Sequence, residues 1–103
     1  MSAIDRRTNP RVAVDVDVRL ERAYGGPVAA RTVDLGAGGM RVATVRPLRV
    51  DEVLHFDMML DEGRTVDGDA RVMRLHPRSQ YALRFERLAE QDLAALSEYV
   101  AAH

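Results

Sequence analysis

The clearest pattern in the chain is an alternation of apolar and polar residues. Between Val12 and Leu20 every second residue is Val or Leu, which is the period-two pattern of a strand with one buried face. The same alternation runs from Leu54 to Leu60. Together with other short apolar segments it predicts six strands. Their ranges are 12–20, 28–35, 40–44, 54–60, 65–75 and 80–85.

Turn-forming residues separate these strands. Gly, Pro, Asp and Ser favour the backbone conformations of tight turns. Such residues are concentrated at 24–27, 36–39, 61–64 and 76–79. Gly68 lies inside the fifth strand, where a glycine indicates a bend or a bulge.

Near the C-terminus the spacing of apolar residues changes to three and four. Leu93, Leu96, Tyr99 and Val100 follow the period of an amphipathic helix, which we predict over residues 90–102. Six strands without an intervening helix, followed by one helix, predict an all-β domain. We expect a six-stranded antiparallel β-barrel capped by a C-terminal amphipathic α-helix.

The length of 103 residues fits one domain. We place that domain at residues 12–103. Residues 1–11 are expected to form a flexible arginine-rich arm, because they contain few apolar side chains and Pro10 lacks a backbone N–H. The first residues lack the apolar segment of a signal peptide, and no long apolar run follows. A cytoplasmic protein without membrane insertion is therefore expected.

Several classes of chemistry find no support in the sequence. The chain has no cysteine, which excludes disulfide bonds, thiolate metal sites and a cysteine nucleophile. His55 and His76 are isolated, so we interpret them as surface or turn histidines and not as metal ligands. No serine lies in a nucleophile-elbow motif, and no carboxylate pair has a spacing that indicates acid–base catalysis. The sequence therefore predicts neither an enzyme nor a bound cofactor or metal.

The formal net charge of -1 hides an uneven distribution. Residues 1–50 contain nine Arg and five acidic residues, giving +4, whereas residues 51–103 contain six Arg and eleven acidic residues, giving -5. A basic first half suits a small anionic ligand. A nucleic-acid polymer usually requires a basic surface across the whole domain, so we do not expect one as a partner.

Two short motifs in the basic half supply groups that can bind a guanine nucleotide. Arg7 and Arg11 form an RxxxR motif, and residues 34–39 form DxGxxG, beginning with Asp34. A guanidinium can donate two hydrogen bonds to phosphate or to guanine O6 and N7, and it stacks on bases. The Asp34 carboxylate can accept hydrogen bonds from guanine N1 and N2. The glycines allow close backbone approach to a ligand, although a plain tight turn is the alternative interpretation of this loop.

These motifs, in this order and in a chain of this size and strand pattern, resemble the PilZ domain, a bacterial receptor for cyclic di-GMP with the motifs RxxxR and (D/N)xSxxG. The resemblance covers nearly the whole chain. Gly36 stands where the family usually has serine, and Ala82 stands where a glycine is common. A neutral hydrogen bond contributes roughly 0.5–1.5 kcal/mol, so the missing hydroxyl is expected to weaken binding about two- to twelve-fold.

The resemblance implies a set of ligand-binding residues. The arginine arm is expected to hold phosphates and guanine edges, Asp34 to read guanine, and the glycine loop to line the site. Arg41 and Arg74 could reach the ligand from the barrel face, or be ordinary exposed strand arginines. The predicted set is Arg6, Arg7, Arg11, Asp34, Gly36, Gly38, Gly39, Arg41 and Arg74.

The resemblance also implies a function without catalysis. In this interpretation the chain binds cyclic di-GMP, its N-terminal arm becomes ordered, and the changed surface signals to an unidentified effector protein; a monomer or weak dimer is expected. The alternative is a PilZ-like interaction adaptor that has lost nucleotide binding, which Gly36 and Ala82 favour. A single-stranded RNA-binding barrel is a third interpretation, disfavoured because two Phe and three Tyr leave few rings for base stacking.

Overall fold

The computed structural model describes residues 10–61 and 63–103, which form seven strands followed by one helix. The strands are β1 (Arg11–Val12), β2 (Asp17–Glu21), β3 (Val28–Gly36), β4 (Gly39–Ala43), β5 (Val53–Asp61), β6 (Arg64–His76) and β7 (Gln80–Leu88), and the helix is α1 (Glu90–Ala102).

Six of the strands close into an antiparallel barrel. The pairing runs β2-β5-β6-β7-β4-β3, and β3 pairs with β2 to complete the circle. The short β1 also pairs with β3, beyond the end of β2. The predicted six-stranded barrel with one C-terminal helix is therefore confirmed.

The predicted continuous strand over residues 12–20 is wrong in one respect. The segment is divided into β1 and β2, and the four residues 13–16 lie opposite only three residues of β3, 32–34. The side chain of Thr32 occupies this irregular stretch. Its Oγ1 accepts a hydrogen bond from Val16 N at 2.8 Å and donates one to Val14 O at 2.5 Å. A side-chain hydroxyl thus replaces part of the backbone ladder.

The barrel interior is filled by alternate side chains of every barrel strand. Phe56 is fully buried and stacks on Phe85, with ring centroids 5.0 Å apart. The other large side chains that are almost fully buried are Leu20, Leu35, Met40, Leu54, Leu96, Val28, Val42, Val66 and Val72. This core fixes which side chains of each strand point outward, and the candidate site lies on that outer surface.

The helix has the predicted bounds and packs on β6 and β3. Leu96, Tyr99 and Val100 are buried, as the spacing predicts. Leu93 is 43% exposed, so its assignment to the buried face is wrong. Only the later turns of α1 bury apolar side chains. In the described residues no helix combines the length and the apolar character that crossing a membrane requires.

Gly68 remains within β6, and the neighbouring irregularity belongs to the partner strand. The register shifts between Asp69 and Ala70, where Glu86 of β7 is the extra residue. A Cβ at Gly68 would overlap the backbone oxygen of Arg87. Glycine is needed here because the two backbones approach closely.

Candidate functional site

Four residues in register form a row across the outer surface of the barrel. Asp34 of β3 lies opposite Arg41 of β4, Arg41 opposite Ala82 of β7, and Ala82 opposite Arg74 of β6. An adjacent residue in β3, β4 and β7 is buried, so the row members on these strands face outward. Those buried neighbours are Leu35, Met40 and Leu83. Motif and strand residues that are distant in sequence are thereby brought onto one face.

The Asp34 carboxylate is held by Arg11. Arg11 Nε and Nη2 both donate to Asp34 Oδ1, at 2.9 and 2.6 Å. The side chains are 45% and 28% exposed, respectively, so water and a ligand can reach the pair. Among residues 10–61 and 63–103, no hydrogen bond ends on the other oxygen, Oδ2. Asp34 therefore retains an acceptor for an incoming donor.

Arg41 and Arg74 differ from most arginines of the barrel. Within the part of the chain that the structure describes, neither forms an ion pair with a carboxylate. In the next row, Arg71 and Arg84 lie opposite each other and both bind Glu86, at 2.6 and 3.4 Å. The row that begins at Asp34 thus presents two arginines that form no ion pair with the described carboxylates.

His76 completes this cluster. Its Nε2 lies 3.5 Å from Arg41 Nη2, and it follows Arg74 by two residues on β6. Its pKa is lowered mainly by partial burial and then by the positive charges of Arg41 and Arg74, while Asp34 acts in the opposite direction. The imidazole is therefore neutral near pH 7 and can accept a hydrogen bond from Arg41.

The sequence interpretation of His76 as an ordinary turn histidine missed this arrangement. The available signal was its spacing: two positions after Arg74 along a strand, a residue returns to the same face. The strand was predicted to end at Leu75, one residue before His76, so the alternation was not continued to it.

Gly36 allows the chain before β2 to lie directly on β3. It is the register partner of Arg11. A Cβ at position 36 would lie 2.9 Å from Pro10 O and 3.1 Å from Arg11 Cγ. The residue that departs from the family motif therefore makes room for the backbone that carries the Arg11 side chain to Asp34.

The remaining glycines of the motif have different surroundings. A Cβ at Gly39 would overlap the backbone oxygen of Leu83, so this glycine allows β4 to approach β7. Gly38 faces open space, and its carbonyl accepts a hydrogen bond from Phe85 N at 3.0 Å. The turn is shorter than predicted, because Gly36 ends β3 and Gly39 begins β4.

The structure brings together Arg11, Asp34 and Gly36, and places Arg41 and Arg74 on the same row as Asp34. Arg6 and Arg7 lie outside the described residues, so their predicted roles stay predictions. The described part of the site lies on the outer surface of the barrel. A groove of about 860 Å³, lined in part by Tyr24 and Glu52, lies at the opposite end of β3 from the glycine loop.

Comparison with solved structures shows the same fold in several bacterial proteins. The inhibitor of motility MotI/DgrA of Bacillus subtilis has a TM-score of 0.79 and 24% identity, over 94% of this chain and 50% of that one. The PilZ domain of CeSA from a cellulose-synthesizing bacterium has a TM-score of 0.70 and 20% identity, over 90% of this chain and 96% of that one. YcgR of Escherichia coli, in complex with c-di-GMP, has a TM-score of 0.79 and 16% identity, over 94% of this chain and 45% of that one. The chain thus spans about half the length of MotI/DgrA and of YcgR.

No curated protein matches the sequence. The sequence model of the PilZ domain family matches residues 5–102, which include the arginine motif, the Asp34 loop, the barrel and α1. A match over nearly the whole chain, together with the shared barrel, shows that this chain belongs to the PilZ domain family.

Proposed function

We propose that this chain binds cyclic di-GMP on the outer face of the barrel and signals to an effector protein through its N-terminal arm. Family membership supports the proposal, as does the likeness to YcgR, whose structure contains c-di-GMP. The site proposed for the ligand comprises Arg6, Arg7, Arg11, Asp34, Gly36, Gly38, Gly39, Arg41 and Arg74.

One observation carries the proposal: an accessible carboxylate lies in register with two arginines that have no carboxylate partner in the described residues. The ligand has complementary chemistry, because guanine N1 and N2 are donors and its phosphodiesters are anions. Asp34 Oδ2 is the acceptor for guanine, while Arg41 and Arg74 attract the phosphates. Ala82 lies between the two arginines and adds little bulk above the sheet.

The arm is coupled to the site through Arg11. Its guanidinium already binds Asp34, so a nucleotide that engages the carboxylate also contacts or displaces this side chain. Arg6 and Arg7 precede Arg11 in the sequence, and we propose that they add positive charge for the phosphates. The change in the arm is the proposed signal, and the partner is a protein that contacts the arm in one state only.

This function is binding without catalysis. The groups of the site act through hydrogen bonds and charge, and the nucleotide leaves unchanged. We propose that the protein acts in the cytoplasm as a monomer or weak dimer, without a cofactor and without inserting into a membrane.

The adaptor interpretation, in which nucleotide binding has been lost, rests on Gly36 and Ala82. The missing hydroxyl is one neutral hydrogen bond, which is worth less than the charge-assisted bonds that arginine and aspartate supply. Arg41 and Arg74 remain without acidic partners in the described part of the chain, and this favours an anion-binding surface.

Asp34→Asn tests the proposal, with Asp17→Asn as a matched control. Both carboxylates lie on the outer face of barrel strands and bind an arginine, Asp34 with Arg11 and Asp17 with Arg31. By calorimetry with cyclic di-GMP, we expect Asp34→Asn to weaken binding about ten- to hundred-fold, because a charge-assisted hydrogen bond contributes roughly 1.5–3 kcal/mol. Asp17→Asn should bind as wild type does. Equal affinity in the two variants would remove Asp34 from the site.

Arg41→Gln and Arg84→Gln make a second matched pair. Both residues lie on the outer face of the barrel, but among the described residues only Arg84 contacts a carboxylate, that of Glu86. We expect Arg41→Gln alone to weaken binding. An equal loss in both variants would indicate a general effect of surface charge.

A further inference from the structure

We infer that His76 is a further ligand-contacting residue of this site, and that it takes up a proton when the nucleotide binds. The inference rests on the proposed function and adds a residue and a pH dependence that neither motif contains.

The position of His76 is the first argument. His76 ends β6 and lies opposite Gln80 of β7. This pair is two residues along the strands from the pair formed by Arg74 and Ala82. Its Nε2 is 3.5 Å from Arg41 Nη2. A nucleotide held by Arg41 and Arg74 therefore lies within reach of the imidazole.

The charges around His76 give the second argument. It is flanked by Arg74 on its own strand, Arg41 on β4, Asp34 on β3 and the neutral Gln80 on β7. Partial burial is the main cause that holds the pKa of His76 below its ordinary value, and the charges of Arg41 and Arg74 add to it against the opposing charge of Asp34. The free protein thus keeps this imidazole neutral at a surface that attracts negative charge.

A bound dinucleotide reverses this balance. Its two phosphates neutralise Arg41 and Arg74 and attract an imidazolium, which has two N–H donors for phosphate or guanine acceptors. The pKa of His76 therefore rises on binding. The phosphodiesters and guanines of the ligand keep the same charge across the range in which histidine titrates, so proton uptake is assigned to the protein.

Calorimetry with cyclic di-GMP between about pH 5.5 and pH 8 tests the inference, and binding is expected to tighten about three- to ten-fold toward acid. Runs in buffers of different ionisation enthalpy measure the proton uptake directly. His76→Gln should lose both effects. His55→Gln is the control, because the partners of His55 are Asp67 and Asp69 at 3.2 and 3.1 Å, outside the site.

NMR titration of the wild-type imidazoles gives a readout that needs no variant. The expected result is a rise in the pKa of His76 on saturation with nucleotide, with His55 unchanged. An unchanged His76, or the same acid tightening in His76→Gln as in wild type, overturns the inference while leaving nucleotide binding in place. If no protein in the series binds cyclic di-GMP at any pH, the proposed function fails, and this inference fails with it.

Discussion

At the scale of single residues, Gly36 shows why a motif substitution has to be interpreted in its structural setting. In the sequence, Gly36 shows only that the hydroxyl of the serine usual at this motif position is missing. In the structure it lies beneath Pro10 and Arg11, where a Cβ would be only 2.9 Å from a backbone oxygen. Adding serine back would therefore move the segment that carries Arg11, as well as supplying a hydrogen-bonding group.

Gly36→Ser is predicted to loosen the contact between β1 and β3, and Gly38→Ser serves as the control. Gly38 lies in the same turn, and a Cβ there would have no neighbouring atom within 4 Å. In Gly36→Ser we expect faster amide exchange at Arg11 and Val12 and weaker coupling of Arg11 to Asp34, whereas the barrel stays folded. Unchanged exchange at Arg11 and Val12 would contradict the steric account.

The residues of the site were only partly predictable. The motifs identified Asp34 and Arg11, whose contact follows from the pairing of β1 with β3. Arg41 and Arg74 were candidates, but their common row depends on strand register across β7, which local sequence does not determine. His76 was missed because the predicted strand ended at Leu75, and because Arg41 and Asp34, two of its three charged neighbours, come from other strands.

At the scale of secondary-structure elements, the β5–β6 pair contains a histidine held between two carboxylates. His55 Nδ1 lies 3.1 Å from Asp69 and Nε2 lies 3.2 Å from Asp67. The hydrogen bond to Asp69 is the main cause of a raised pKa, which the charges of both aspartates support and partial burial opposes. Protonation of His55 therefore stabilises the folded state.

This pair predicts a pH dependence of stability. A raised pKa in the folded state gives stabilisation that is fully present below the ordinary histidine pKa of about 6.5 and is lost as the pH rises through the folded-state value. Because His55 is well exposed, the effect is expected to be under about 1 kcal/mol. Urea unfolding at several pH values should show that His55→Gln loses less stability than wild type on going from acid to alkaline solution.

His76 has the opposite effect on the pH dependence of the free energy of unfolding, so it has to be removed when the effect of His55 is measured. Its lowered pKa means that its contribution is present above the ordinary histidine pKa and is lost as the pH falls through the folded-state value. Measurements in a His76→Gln background isolate the effect of His55. If the free energy of unfolding depends on pH in the same way in His76→Gln and in the double variant His76→Gln/His55→Gln, the proposed role of the β5–β6 pair is contradicted.

The helix α1 allows a second prediction at this scale. Leu96 is fully buried against the barrel, whereas Leu93, one turn earlier, is 43% exposed. Leu96→Ala is expected to lower the free energy of unfolding by about 2–5 kcal/mol. The same substitution at Leu93 should cost less than about 1 kcal/mol. Chemical denaturation of both variants measures this difference, and equal losses would contradict the packing of α1.

The elements themselves followed largely from sequence, because alternation and turn residues act locally. The division between β1 and β2 did not follow from the local sequence. It occurs where the Thr32 side chain of the opposite strand forms hydrogen bonds with the backbone of Val14 and Val16. The exposure of Leu93 was also not predictable from spacing alone. Helical period identifies one apolar face, but the barrel determines how much of that face is covered.

At the scale of the whole molecule, strand order determines where charge is concentrated. The sequence halves carry +4 and -5, which places most of the positive charge in the first half. The closed barrel places Arg74, from the acidic second half, in the same row as Arg41, from the basic first half, with Ala82 of β7 between them. The proposed anion site is therefore a product of topology as well as of the arginine-rich N-terminal sequence.

This arrangement predicts that nucleotide binding weakens as salt concentration rises. The described residues of the site lie on the outer surface of the barrel, so counterions screen its arginines. Raising the salt concentration from about 0.05 to 0.5 M should reduce the affinity for cyclic di-GMP several-fold. Uncharged osmolyte at matched osmolality is the control. Affinity independent of salt would indicate that contacts between arginine and phosphate do not dominate.

Calorimetric titration of the wild-type chain with cyclic di-GMP tests whether this PilZ domain binds that nucleotide. GTP, Arg7→Ala and Asp34→Ala are the controls. We expect saturable heat for wild type with cyclic di-GMP, no heat for wild type with GTP, and loss of the cyclic di-GMP heat in Arg7→Ala and Asp34→Ala. The absence of heat for the folded wild-type protein at high ligand concentration would contradict the proposed binding and favour an adaptor that recognises protein partners alone.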